Sequence, residues 1–196
     1  MRLIILMLCF ARLALCSGDA MFGLTWGMTP KQVKSIVDIE KKKATDNMYY
    51  YTCSKLQKNV SIAESYTLLF DEDSSLVKIV MVSVTIKNDI YGSAGKDQFD
   101  NLVNLLKQKY KVENTYCYVG QELYKESDEF YECLNYDGCG NWAILMSSEN
   151  KNISIQLCGL SRGEGYIRLV AEAKPEFSNA LEKNKAKKNL KDSDAF

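Results

Sequence analysis

Histidine is missing altogether: the 196-residue chain contains 0. That single absence removes the commonest general base, the commonest metal ligand and every Ser-His or Cys-His nucleophile pair. A basic surplus is missing too, because Lys plus Arg is 25 and Asp plus Glu is 25. Nucleic-acid binding, which rests on a basic footprint that displaces counterions, is therefore not expected. There is no CxxC pair, and without imidazole a zinc site would need four thiolates in an oxidising compartment. The glycine cluster at 159–165 lacks a Gly-Lys-Ser/Thr ending and a following helix, which argues against a phosphate cradle. Beyond the N-terminus no apolar run approaches the length of a membrane span, so no transmembrane segment is expected in the mature chain. Neither a cofactor nor a metal is expected.

What is present begins with a leader. Arg2 precedes the apolar run Leu3 to Ala11, which continues past Arg12 to Leu15, and small or polar residues follow from Cys16 to Ala20. A basic start, a short apolar segment and then small residues form the pattern of a secretory signal peptide, here residues 1–18. Leu13-Ala14-Leu15-Cys16 also approaches a lipoprotein cleavage box, with Leu15 where a smaller residue is usual; membrane contact would then depend on acylation of Cys16. Removing Arg2 and Arg12 from the 25 basic residues leaves 23 against 25 acidic ones, so the exported chain is slightly acidic. Localisation is expected to be periplasmic or secreted. In that setting Cys53, Cys117, Cys133, Cys139 and Cys158 read as a disulfide framework with an odd member, whose connectivity spacing alone does not give.

The mature chain, 46% hydrophobic and 26% charged across the whole sequence, is long enough to bury a core. Thr29-Pro30-Lys31-Gln32 is a capping box with proline at the first helical position, and Met28 and Val33 are spaced as a hydrophobic staple. It predicts a helix from Pro30 to Val37. The clearest helix runs from Ser93 to Tyr110, with Phe99, Leu102, Val103, Leu105, Leu106 and Tyr110 on one face. Period-two patterning predicts strands at 49–53, 62–70, 76–86, 115–119, 130–136, 142–146, 152–158 and 166–173. Asp71-Glu72-Asp73 reads as a hairpin turn rather than a calcium loop, since alternating ligands, a glycine bend and a closing glutamate are absent. Gly159 to Gly165 reads as a second hairpin.

Trp26-Gly27 before the first helix is echoed by Tyr91-Gly92 before the second. The expected fold class is α+β, an antiparallel sheet with helices packed on one face, built as two helix-plus-sheet units over 19–88 and 89–174. Residues 175–196 are polar and Lys-rich and read as a terminal helix or tail.

Gly27-Met28-Thr29-Pro30-Lys31-Gln32-Val33 resembles the opening motif of the small outer-membrane lipoprotein family of the barrel-assembly complex, and of the structurally similar secreted β-lactamase inhibitory proteins. The likeness covers about ten residues; Val37-Asp38-Ile39-Glu40 stands where that family turns through Gly-x-Pro. The resemblance implies an export-directed α+β module that binds proteins through a sheet face.

The functional expectation is an exported, non-catalytic protein-binding or inhibitor-like module whose partner is another protein. Among twelve tyrosines, Tyr49, Tyr51, Tyr116, Tyr118 and Tyr131 are the candidate aromatic interface, because rings on strands supply anchors for protein recognition. An envelope-maintenance or assembly factor, lipid-anchored through Cys16, is the alternative. A hydrolase would have to draw a carboxylate pair from Glu122, Glu126, Asp128, Glu129 and Glu132, or use Cys53 as a nucleophile without a histidine base. Asn59-Val60-Ser61 and Asn152-Ile153-Ser154 match the N-glycosylation acceptor pattern, which matters only in a eukaryotic host.

Overall fold

The structure, a computed structural model, describes residues 18–41, 49–120 and 122–175. The leader, Cys16 and the polar C-terminal segment from 176 lie outside the described residues. The elements follow the order α1 (Pro30–Lys34), β1 (Glu40–Lys41), β2 (Tyr49–Cys53), β3 (Ala63–Phe70), β4 (Leu76–Ser83), α2 (Ser93–Lys107), β5 (Lys111–Tyr118), a 3-10 turn (Ser127–Glu129), α3 (Phe130–Asn135), β6 (Asn141–Ser147), β7 (Lys151–Ser161) and β8 (Glu164–Ala173). The strands form one antiparallel sheet in the order β1-β2-β3-β4-β8-β7-β6-β5. The molecule is mostly sheet with few helices, which bears out the coarse part of the α+β expectation.

Register explains the core. One transverse row runs Tyr51, Leu68, Ile79, Ala171, Ile153, Met146 and Val112, and the next runs Tyr66, Met81, Leu169, Ile155 and Ile144. Successive strand residues point to opposite faces, so these rows put apolar side chains on a single face. Val33 of α1, Phe99, Leu102 and Val103 of α2, and Phe130 and Tyr131 of α3 join the same buried cluster. Burying each large side chain of this kind stabilises the fold by about 1.5–3 kcal/mol.

Local signals account for most elements. The Thr29 capping box is formed, with the Gln32 N–H donating to Thr29 Oγ1 at 3.3 Å and the Thr29 N–H donating to Gln32 Oε1 at 2.7 Å. Yet α1 ends at Lys34, short of the expected Val37. The Ser35 hydroxyl donates to the Gln32 carbonyl at 2.6 Å and Ile36 is exposed, while Val37 still packs against the core from beyond the helix end. The Asp71 turn closes through Ser75 N–H to Asp71 Oδ1 at 2.8 Å, and β7 and β8 join across Arg162-Gly163, Gly163 having φ +72°. Strand β4 stops at Ser83 rather than 86; Ile86 instead makes an isolated bridge to Gly165.

The segment 130–136 is a correction. It reads as a strand by alternation of Tyr131 and Cys133, but residues 130–135 form α3. A helix lets Phe130, Tyr131 and Cys133 all be buried, whereas an extended chain would send Phe130 to the opposite face from Tyr131 and Cys133. Leu105, expected on the core face of α2, is exposed.

Candidate functional site

Opposite the core, the alternate residues of each strand form the other face of the sheet. Its central row reads Thr52, Thr67, Val80, Val170, Ser154, Leu145 and Asn114. A second reads Ser65, Val82, Arg168, Gln156, Ala143 and Tyr116, and a third Tyr50, Leu69, Lys78, Glu172, Asn152 and Ser147. Most of these side chains are half-buried or exposed, and no described helix contributes to them. Hydroxyls, amides and short aliphatics predominate, and the few charged side chains have partners on the face. Lys78 Nζ lies 3.2 Å from Glu172 Oε2, and Arg168 Nη2 donates to Gln156 Oε1 at 2.6 Å. A depression of about 310 Å³ lies in this face, lined in part by Leu145, Ser154, Val170 and Glu172.

The antiparallel register also brings the loops 54–62, 84–92 and 162–163, and the β5–β6 connection that carries α3, to one end of the sheet. There Tyr91, Val119, Leu123, Tyr136 and Leu160 are exposed. Beside them Cys133 and Cys139 form a disulfide, and the Gly120 N–H donates to Cys133 Sγ at 3.1 Å. A second depression of about 400 Å³ is lined by Gly120, Leu123, Tyr136 and Cys139 among others. Tyr124 and Tyr136 meet edge to face with centroids 5.8 Å apart.

The five candidate tyrosines do not form one surface. Tyr116 and Tyr118 lie on the open face, 40% and 53% exposed. Tyr49 is partly exposed but pairs with Phe70 on the core side, with Lys41 Nζ 4.8 Å from its ring centroid. Tyr51 is buried against Phe70, and Tyr131 is fully buried, so both leave the interface set. Tyr50 takes their place on the open face beside Leu69. Its signal was in the sequence: Tyr50 and Thr52 share the parity opposite to Tyr51.

Tyr131 has a structural role. Its hydroxyl donates to Asp89 Oδ2 at 2.8 Å, and the same oxygen accepts the Gly95 N–H at 2.8 Å. Burial opposes ionisation of Asp89, but the N–H groups of Gly95, Ala94 and Ser93 and the Tyr131 hydroxyl outweigh it and hold the carboxyl below its ordinary value. Burial, reinforced by the Asp89 carboxylate, pushes the Tyr131 hydroxyl upward.

Among the described residues Cys53, Cys117 and Cys158 are free thiols. Burial pushes the Cys53 thiol to about 11, against the opposing Lys55 backbone hydrogen bond, so at neutral pH it is a thiol and not a nucleophilic thiolate. Several carboxylates of the 122–132 cluster have structural partners: Asp128 pairs with Arg162, and Glu129 Oε2 accepts the Glu126 N–H at 3.2 Å in a capping box. Among the described residues no group of acidic, cysteine or histidine side chains is arranged to hold a metal ion. Among them, too, no helix is long and apolar enough to cross a membrane.

No protein-family model matches the chain, and no curated protein or solved structure is significantly similar to it.

Proposed function

We propose that the protein is an exported, non-catalytic protein-binding or inhibitor-like module that engages its partner through the open sheet face. The observation that carries this reading is the face itself: seven strands contribute rows of hydroxyl, amide, short aliphatic and tyrosine side chains with no described helix over them. Such a surface gives a partner broad contact area at low desolvation cost, with Tyr50, Tyr116 and Tyr118 as rigid aromatic anchors towards its margins. Export is supported by the Cys133–Cys139 disulfide, which persists in oxidising compartments.

The same reading accounts for the arrangement of the chain. In the sheet order, β1 to β4 form one half and β5 to β8 the other, and the halves meet where β4 pairs with β8. Gly27 before α1 and Gly92 before α2 both have positive φ, 79° and 72°. Two related helix-then-strands units, joined edge to edge, would produce a single doubled face, as the resemblance to inhibitor-like modules implies.

The test is capture with the immobilised mature protein followed by identification of bound proteins. Val82→Lys with Val170→Lys places charge at the middle of the face while both side chains remain half exposed. A partner bound by the wild type and lost by this folded double variant supports the proposal. Binding that the double variant leaves unchanged places the interface elsewhere and overturns it.

A further inference from the structure

The two edges of the sheet differ. At one edge the described residues of β1, Glu40 and Lys41, are both charged. Charged side chains along an edge discourage its pairing with another chain. At the other edge β5 is eight residues long and exposed along nearly its whole length. A bulge between Val112 and Asn114 interrupts its start. From Asn114 to Tyr118 the strand is regular, uncharged and free of proline. Beyond it the chain turns away at Gly120, which is tied to Cys133. Among the described residues, β6 is the one strand paired with β5. The segment Asn114-Thr115-Tyr116-Cys117-Tyr118 thus combines high strand propensity with open backbone donors and acceptors.

We propose that β5 is a homodimer edge, at which a second copy of this chain pairs antiparallel about Tyr116 and joins two eight-stranded sheets into one. The occupant follows from the segment itself. A two-fold axis at Tyr116 sets Tyr116 against itself, Thr115 against Cys117 of the second copy, and Asn114 against Tyr118 of the second copy. Aromatic meets aromatic, small meets small, and no like charges oppose one another. Because the two-fold uses the same five residues on both copies, the association closes as an isologous pair instead of growing head to tail. Pairing of this kind also makes the open faces of both copies continuous. A five-residue edge pairing buries less than the roughly 1,200–2,000 Å² of a standard stable interface, so the dimer is a weak, concentration-dependent one.

Sedimentation velocity on the purified full-length protein, from about 1 µM to about 1 mM, tests this. The mass is expected to rise from one chain towards two across that range. Tyr116→Lys puts two like charges at the axis on an exposed position and is expected to weaken association at least tenfold while leaving the circular dichroism spectrum and melting temperature near wild type. Thr115→Cys sets a new thiol opposite Cys117 of the second copy and is expected to yield a covalent dimer under oxidised glutathione, whereas Thr52→Cys, on β2, is not. A monomer at every concentration, as would follow if another part of the chain covered β5, overturns the proposal. So does a dimer that Tyr116→Lys leaves intact, or one that Thr115→Cys fails to cross-link. None of these outcomes depends on the partner of the open face.

Discussion

At the scale of single residues the least replaceable group is Tyr131. A Cβ added at Gly159 would lie 1.8 Å from the Tyr131 carbonyl oxygen, and one at Gly165 would lie 2.2 Å from the Tyr131 ring. The first obstacle is backbone and cannot swing aside, so Gly159→Ala is expected to destabilise by about 3 kcal/mol in urea unfolding. Tyr131→Phe leaves the ring seated and removes the bond to Asp89, with an expected loss of about 1 kcal/mol. Asp89 has a lowered carboxyl value in the fold. Its contribution is therefore complete above the ordinary aspartate range and is lost as pH falls through the folded value. Asp89→Asn should flatten the stability profile in that acid range; an unchanged slope would sink this assignment. Lys151 behaves oppositely. It is 3% exposed while its ion-pair partner Asp19, 3.2 Å away, is well solvated. Burial lowers the Lys151 ammonium value more than Asp19 raises it. Lys151→Met removes a buried charge and strands none, so thermal melting should show a neutral or raised midpoint.

At the scale of elements, helix α3 is fixed by tertiary packing and by a covalent bond. The Cys133–Cys139 disulfide closes a short loop across its C-terminal end. Replacing both cysteines by serine is expected to cost about 2 kcal/mol, read by chemical denaturation of the oxidised protein against the variant. Of the three free thiols among the described residues, exposed Cys117 should react first with a thiol reagent, and buried Cys158 only on unfolding.

How far these elements were legible depended on how local their causes are. The α1 cap, the α2 stripe and both hairpins rest on side chains within a few residues of one another, and all were readable. Helix α3 was not, because Tyr131 and Cys133 alternate like strand residues, and the glycines that admit Tyr131 lie on β7 and β8. The candidate face was legible in kind but not in membership. Alternation separates Tyr50 from Tyr49 and Tyr51 but does not say which set faces the core; the pairing with Phe70, Leu69 and Leu68 puts Tyr50 on the open face.

At the scale of the whole molecule, the two halves share one core and one central seam. Ile79 and Met81 of β4 lie beside Ala171 and Leu169 of β8 in buried rows. Unfolding is therefore expected to be a single transition, with far-ultraviolet dichroism and tryptophan fluorescence coincident, and residues 19–88 expressed alone should not fold. Two separated transitions would mean that each half holds its own core.

The place of β8 has a further consequence in time. Among the described residues, the last strand of the sheet in sequence stands in its middle, between β4 and β7. As the chain emerges from synthesis, β4 waits without its inner neighbour until Ala173 has appeared. The sheet cannot close on a partial chain, and its non-local pairing makes closure slow once the chain is whole. Folding order is thus written into the strand order: the sheet closes late, once β8 has emerged, and the chain is threadable until then.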